Sequence, residues 1–251
     1  MAYLDRDGVG IYYEVHGSGP VVLLSHGYSA TSAMWAGQIE PIAASHTLVI
    51  WDMRGHGNSD SPANPAEYSE SLTTGDMAAL LDVVGARSAV IGGLSLGGYM
   101  SLSFNVAFPH RVDALMLFDT GPGYRSDSGR DGWNRIAAQR AKELETKGLA
   151  ALGSSGEVKL SRHRSAQGLA HAARGMLAQT DGRVMASLAE IRVPTLVLVG
   201  SLDQPFLAAT DYMAAKIPGA TRVVVEGAGH ASNIDRPREF NAAVSAFLAQ
   251  L

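Results

Sequence analysis

Short apolar runs alternate with helix-length amphipathic stretches along most of this chain. Tyr12 to Val15, Val21 to Ser25, Leu48 to Trp51, Ala89 to Ile91, Leu115 to Phe118, Thr195 to Val199 and Arg222 to Val225 are β-branched or apolar and lie beside glycine or proline, the pattern of short strands. Between most of them, Ser32 to Ala44, Leu72 to Val84, Leu96 to Phe108, Leu207 to Ile217 and Pro237 to Leu251 have helical length and spacing. Such alternation predicts an α/β fold: a mostly parallel sheet with helices on both faces. The unbroken apolarity of Val21-Val22-Leu23-Leu24 and Leu196-Val197-Leu198-Val199 suits strands covered on both sides. In such a sheet ligands bind beyond the carboxyl ends of the strands.

The alternation fails over 122–190. No strand pattern occurs there, and the helical runs Trp133 to Thr146 and Ala166 to Gln179 are joined by Gly/Ser-rich stretches at Gly121 to Gly132 and Gly153 to Gly156. We read 122–190 as a helical cap inserted into a core formed by 1–121 and 191–251. The cap holds 11 basic and 7 acidic residues against 9 and 17 elsewhere, so its balance is +4 over a core of -8. Solvated helix faces explain this most simply. The sharper expectation is that one or more of Arg125, Arg130, Arg162, Arg164 and Arg174 face the site and favour an anionic substrate.

The chemistry centres on Gly93-Leu94-Ser95-Leu96-Gly97-Gly98, where a strand pattern gives way to a helix pattern. A serine between glycines at such a junction is a nucleophile elbow: the tight turn projects the hydroxyl, and the flanking glycines let strand and helix approach closely. A serine nucleophile needs a base, and the base needs a group to orient it. His230, in the glycine-rich Glu226-Gly227-Ala228-Gly229-His230 after an apolar run, fits the base. Asp203, after Val199-Gly200-Ser201-Leu202 and before a helical run, fits the orienting acid, with helix capping as its ordinary alternative. Asp119, in Leu117-Phe118-Asp119-Thr120-Gly121, ends a strand on the same rim and is the rival acid.

A carbonyl oxygen that gains charge needs N–H groups aimed at it. Leu96, following the nucleophile at a helix start, supplies one; Tyr28, after Val21 to Ser25 and His26-Gly27, supplies the second. His26 itself reads as a hydrogen-bonded structural histidine. Asp52-Met53-Arg54-Gly55-His56-Gly57-Asn58-Ser59 looks catalytic but reads as a structural turn, because nucleophile, acid and base are already assigned.

Composition narrows the picture. The 251 residues, 46% hydrophobic and 18% charged, suit one globular unit. No cysteine is present, which excludes disulfides, thiolate metal sites and a cysteine nucleophile. A net charge of -4 without a basic run argues against nucleic acid. No apolar run reaches membrane length and the N-terminus carries no leader pattern, so a cytoplasmic location is expected and no membrane partner. The eight histidines show no compact ligand set and the chain has no phosphate loop or dinucleotide fingerprint, so neither metal nor cofactor is expected.

Five segments in order, His26-Gly27, Asp52 to Ser59, Gly93 to Gly98, Gly200-Ser201-Leu202-Asp203 and Gly227-Ala228-Gly229-His230, make the whole chain resemble the α/β-hydrolase superfamily, most nearly its small bacterial serine esterases and 3-oxoadipate enol-lactonases. The resemblance implies an eight-stranded sheet with the cap after the sixth strand, and the order Ser95, Asp203, His230 is the order of that fold. The chain departs from many relatives at Asp203-Gln204-Pro205-Phe206, where they continue towards Thr-Pro or Pro-Pro. Haloalkane dehalogenases and epoxide hydrolases resemble the fold but carry aspartate where this chain has Ser95. The expected function is hydrolysis of a small-molecule carboxylic ester or lactone through an acyl-enzyme. C–C bond hydrolysis or perhydrolysis by the same three residues, or a ligand-binding receptor on this scaffold, stay open, as does a homo-oligomer.

Overall fold

The computed structural model describes residues 2–251. Its strands are β1 (Ala2–Arg6), β2 (Val9–His16), β3 (Val21–Ser25), β4 (Thr47–Trp51), β5 (Ala89–Leu94), β6 (Val112–Phe118), β7 (Thr195–Gly200) and β8 (Thr221–Val225), in one sheet of order β1-β2-β4-β3-β5-β6-β7-β8. The pairs β1/β2 and β2/β4 are antiparallel, and β4/β3, β3/β5, β5/β6, β6/β7 and β7/β8 are parallel. The seven strands read from the apolar runs are all present. The first, β1, escaped that reading because it is a charged edge strand, AYLDR, whose residues are half-buried or exposed.

Successive side chains of the central strands serve two cores. Leu23, Val49, Ile91, Leu115 and Leu117 pack under α2 (Glu70–Val83), α3 (Leu96–Ala107) and α8 (Gln204–Lys216), through Met77, Leu80, Leu81, Met100, Phe104 and Met213. Val22, Leu24, Leu48, Ile50, Val90 and Met116 pack on the other face against α1 (Ala36–Ala43) and the C-terminal helix α9 (Pro237–Leu248), through Ile42, Phe240, Val244 and Phe247. Each fully buried aliphatic side chain contributes about 2 kcal/mol by leaving water, which fixes the register and therefore where each strand ends. The expected helix over Ser32 to Ala44 divides into a tight 3-10 turn at Ser32–Trp35 and α1.

Between β6 and β7 the chain is helical: α4 (Asp127–Lys147), α5 (Gly156–Leu160), α6 (Ala166–Ala172) and α7 (Arg183–Ser187), with short single-turn pieces between. The first helix begins inside the stretch read as a Gly/Ser connection. There the Ser126 side chain accepts a hydrogen bond from Gly129 N, and Asp127 stands in the first turn, a cap that outweighs the glycines. Ser165 caps α6 through Gly168 N, and the turn widens over Ala173–Leu177 before ending short of Gln179. Only Ala137, Ala141 and Leu144 of the 21 residues of α4 are buried, a stripe with i, i+4, i+7 spacing; Ala141 and Leu144 pack with Leu169, Ala170 and Ala173, and Ala137 joins the larger core. Among the described residues no helix is long and apolar enough to cross a membrane.

Candidate active site

The parallel strands point the same way, so the segments after β3, β5, β6, β7 and β8 gather on one rim. Ser95 follows β5 with φ 56° and ψ -114°, a left-handed conformation that costs a non-glycine residue about 1–3 kcal/mol. Packing holds it there. Ser95 N donates to Phe118 O at 2.9 Å, and Ser95 O accepts from Thr120 Oγ1 at 2.6 Å and from Tyr99 N at 3.0 Å. A Cβ on Gly97 would collide with the carbonyl of Ser25, and one on Gly93 with the backbone of Gly97. The glycines of the elbow are therefore a condition for β3, β5 and α3 to meet.

His230 Nδ1–H donates to Asp203 Oδ2 at 2.8 Å, which leaves Nε2 free to accept a proton. Asp203 is buried and stands at the N-terminal boundary of α8, but its side chain makes no capping bond. Its carboxylate is thus spent on the imidazole and not on the helix. Burial alone disfavours the His230 imidazolium, yet the hydrogen bond and charge of Asp203, with smaller contributions from Asp119 and Glu157, outweigh it and hold the group above the ordinary histidine value. The two loops lock together: Leu202 N donates to Ala228 O at 2.9 Å and Gly227 N to Ser201 Oγ at 2.9 Å. Ser95, Asp203 and His230 all line one cavity of about 690 Å³. Ser95 and His230 share no hydrogen bond among the described residues; such contacts are often longer before substrate binds.

The rival acid is placed differently. Asp119 is fully buried; its Oδ1 accepts from Gly200 N at 2.8 Å and its Oδ2 from the Ser232 hydroxyl, so it reaches both loops but not the imidazole. Neither Leu96 N–H nor Tyr28 N–H is bonded to a protein acceptor among the described residues, and both residues line the cavity. The Tyr28 hydroxyl is taken up by Leu169 O of α6 at 2.9 Å.

His26 is buried with both ring nitrogens committed: Nδ1 donates to Gly27 O at 2.7 Å, and Nε2 accepts from Met53 N at 2.9 Å. Burial lowers its pKa to about 4. Asp52 accepts from Ser32 N and Asn58 N, and buried Arg54 forms a two-point pair with Asp76. The segment from Asp52 to Ser59 is a hydrogen-bonded turn.

The arginines invoked for an anionic substrate do not line the cavity. Arg174 pairs with Glu145, Arg130 with Asp127 and two carbonyls, Arg162 with the carbonyls of Lys159 and Ser161, and Arg164 with those of Gly57 and Asn58, while Arg125 lies away from the cavity. Chain carbonyls and surface carboxylates within reach satisfy four of the five. The arginine that lines the cavity is Arg140 of α4, with Glu157 of α5 as a counter-charge; nothing in the sequence separates Arg140 from the solvated arginines of its helix. Phe206, in the segment where the chain departs from many relatives, stacks its ring on His230 with centroids 5.0 Å apart and planes 26° from parallel. An aromatic one turn after the acid was the available signal. Trp133, Tyr124, Ile136 and Leu177 complete an apolar roof.

The family model described as "Alpha/beta hydrolase family" matches residues 21–243. The chain is 30% identical over 261 residues to 3-oxoadipate enol-lactonase 2 of Acinetobacter baylyi, covering 98% of this chain and 95% of that protein. It is 29% identical over 269 residues to a candidate 2-succinyl-6-hydroxy-2,4-cyclohexadiene-1-carboxylate synthase of Bacillus subtilis, covering 96% of each. Among solved structures it is similar to a thermophilic esterase from Thermogutta terrifontis with malate bound, at a TM-score of 0.82 and 26% identity over 99% of this chain and 97% of that one. With its sheet order, its serine elbow and a family match spanning most of its length, the chain belongs to the alpha/beta hydrolase family.

Proposed function

We propose that this protein is a serine hydrolase of carboxylic esters or lactones, acting through an acyl-enzyme on Ser95. The observation that carries the reading is the convergence on one cavity of a strained serine, a histidine whose Nδ1 is held by a buried carboxylate, and two unengaged N–H groups. Relatives named as enol-lactonase and esterase support it. The Bacillus relative is named as a synthase, so family membership leaves the reaction to be decided by the site.

The steps follow from the geometry. Ser95 Oγ attacks the carbonyl carbon as its proton passes to His230 Nε2, and Asp203 stabilises the imidazolium. The N–H groups of Leu96 and Tyr28 take the developing oxyanion, with the positive end of α3 behind Leu96. His230 returns the proton to the departing oxygen, which leaves as alcohol, or stays tethered if the substrate was a lactone. Water then gives a proton to His230 and attacks the acyl carbon. Collapse expels Ser95 Oγ, which regains the proton, and the carboxylic acid is released. The Phe206 ring stacked on His230 offers its π face to the imidazolium.

The volume suits a small ligand, and its largely aromatic and aliphatic lining favours an ester or lactone with an apolar body. The test is a fluorophosphonate reaction followed by peptide mass analysis, alongside turnover of an activated aryl ester. Label on the peptide holding Ser95, with labelling and turnover both abolished in Ser95→Ala, is expected. Label at another serine, or turnover that survives in Ser95→Ala, overturns the proposal.

A further inference from the structure

The end of β6 touches the backbone or loop of each of the three residues assigned above. Phe118 O accepts from Ser95 N, and Thr120 Oγ1 donates to Ser95 O, so both sides of the elbow are held. Between them Asp119 points its two carboxylate oxygens apart. Oδ1 takes Gly200 N, three residues before Asp203, and Oδ2 takes the hydroxyl of Ser232, two residues after His230. Its own N–H donates to Leu198 O at 2.9 Å, so the residue is anchored to β7 as well. Asp119 has φ 45°, a left-handed conformation that aspartate and asparagine tolerate better than most residues. A fully buried carboxylate in a strained backbone, bonded to two separate loops, is costly unless the surrounding structure uses it.

We infer that Asp119 is a positioning residue for the proposed hydrolysis: it ties the acid loop and the histidine loop to the strand that also holds the nucleophile, and its charge acts on His230 through space. This rests on the serine hydrolase reading for its kinetic consequence but not for its electrostatic one. The groups that act on Asp119 are Ser232 and His230 of the histidine loop and Gly200 and Asp203 of the acid loop. Burial raises its pKa to about 7 against the hydrogen bonds of Ser232 and Gly200 and the attraction of His230, while the charge of Asp203 adds to the rise. Its protonation near neutrality therefore withdraws a negative charge that otherwise stabilises the imidazolium.

Three variants separate the two roles. Asp119→Asn keeps an acceptor for Gly200 N and a partner for the Ser232 hydroxyl but loses the charge. Ser232→Ala cuts one tie without touching the left-handed backbone, and Asp119→Ala removes both ties. Each is measured for melting temperature, for kcat and KM on an activated aryl ester, and for the titration of the His230 imidazole by NMR. The expected results are a downward shift of the His230 titration in Asp119→Asn and a fall in kcat of about 10²-fold in Asp119→Ala, the scale of an ångström-sized misplacement. A smaller fall in kcat is expected in Ser232→Ala, and KM should change little throughout. If Asp119→Ala does not fold, Asp119→Asn and Ser232→Ala carry the test. A His230 titration unmoved in folded Asp119→Asn, or wild-type kcat in folded Ser232→Ala and Asp119→Ala, overturns the inference. Should the wild-type protein lack Ser95-dependent turnover, the hydrolase reading fails, while the NMR titration still decides whether Asp119 acts on His230.

Discussion

On the floor of the cavity, the Ser95 backbone is held by three hydrogen bonds, Asp203 by the His230 ring, and the loops after β7 and β8 by bonds between their main chains. On the roof, α4 rests on a stripe of three buried residues, and Ile136 and Tyr124 remain 49% and 42% exposed beside Arg140. The roof is tied to the core by side-chain hydrogen bonds, among them Tyr28 to Leu169, His163 to Ser29 and Gly57, and Arg164 to Gly57 and Asn58. The floor therefore has the rigidity that transition-state stabilisation demands, whereas the roof can change its side chains without disturbing the sheet. Under the proposed function, chemistry falls to the first region and choice of substrate to the second.

The largest expected effect breaks the floor. His230→Ala should cut turnover of an aryl ester by about 10³-fold or more, to the background left by Ser95→Ala, because residues acting as a unit lose activity together. Asp203→Asn should fold normally and still lose most of its kcat by freeing the imidazole, while four single changes on the roof, at Arg125, Arg130, Arg162 and Arg174, should leave turnover unaltered. The acid limb of kcat/KM should have its midpoint above the ordinary histidine value of about 6.5, since His230 must be neutral to accept a proton and its pKa is raised. In Asp203→Asn that midpoint should fall. A limb below 6 in the wild-type protein would dissociate it from His230.

Stability against acid sharpens the contrast further. His26 sits in the floor with its pKa lowered by burial to about 4, so its contribution is full above the unfolded value near 6.5 and is lost as pH drops from there towards 4. The loss amounts to about 3 kcal/mol, read as denaturation midpoints at pH 7 and pH 4. His26→Gln should flatten that dependence, and an unchanged slope would remove His26 as its source.

The smallest effect concerns the roof. Arg140 is exposed and lines the cavity, so Arg140→Gln should change KM for a carboxylate-bearing ester by up to about fivefold relative to its neutral isostere, with kcat unaffected. The difference should shrink in added salt, as expected of a charge at the rim. A change of equal size for both substrates would assign Arg140 to packing.

The strand runs and the rim positions of Ser95, Asp203 and His230 were legible in the sequence because each rests on local chemistry: β-branched runs between turn residues, glycines where backbones meet, and a titratable group after a strand. Charge in 122–190 was visible too, but its use was not. Arg174 and Arg140 have the same side chain, each in a helical stretch between β6 and β7, and only the folded surroundings give one to Glu145 and leave the other beside the cavity. Asp119 and Asp203 likewise both follow apolar strands. Their roles divide on contacts across 81, 113 and 27 residues of chain, to Gly200, Ser232 and His230. The sequence by itself determined seven of the eight strands and which residue types reach the rim, because those follow from periodicity and backbone preference. Which carboxylate meets the imidazole and which arginine meets the cavity were decided by the tertiary structure alone, because hydrogen bonds and desolvation depend on distances that close only when the strands pack.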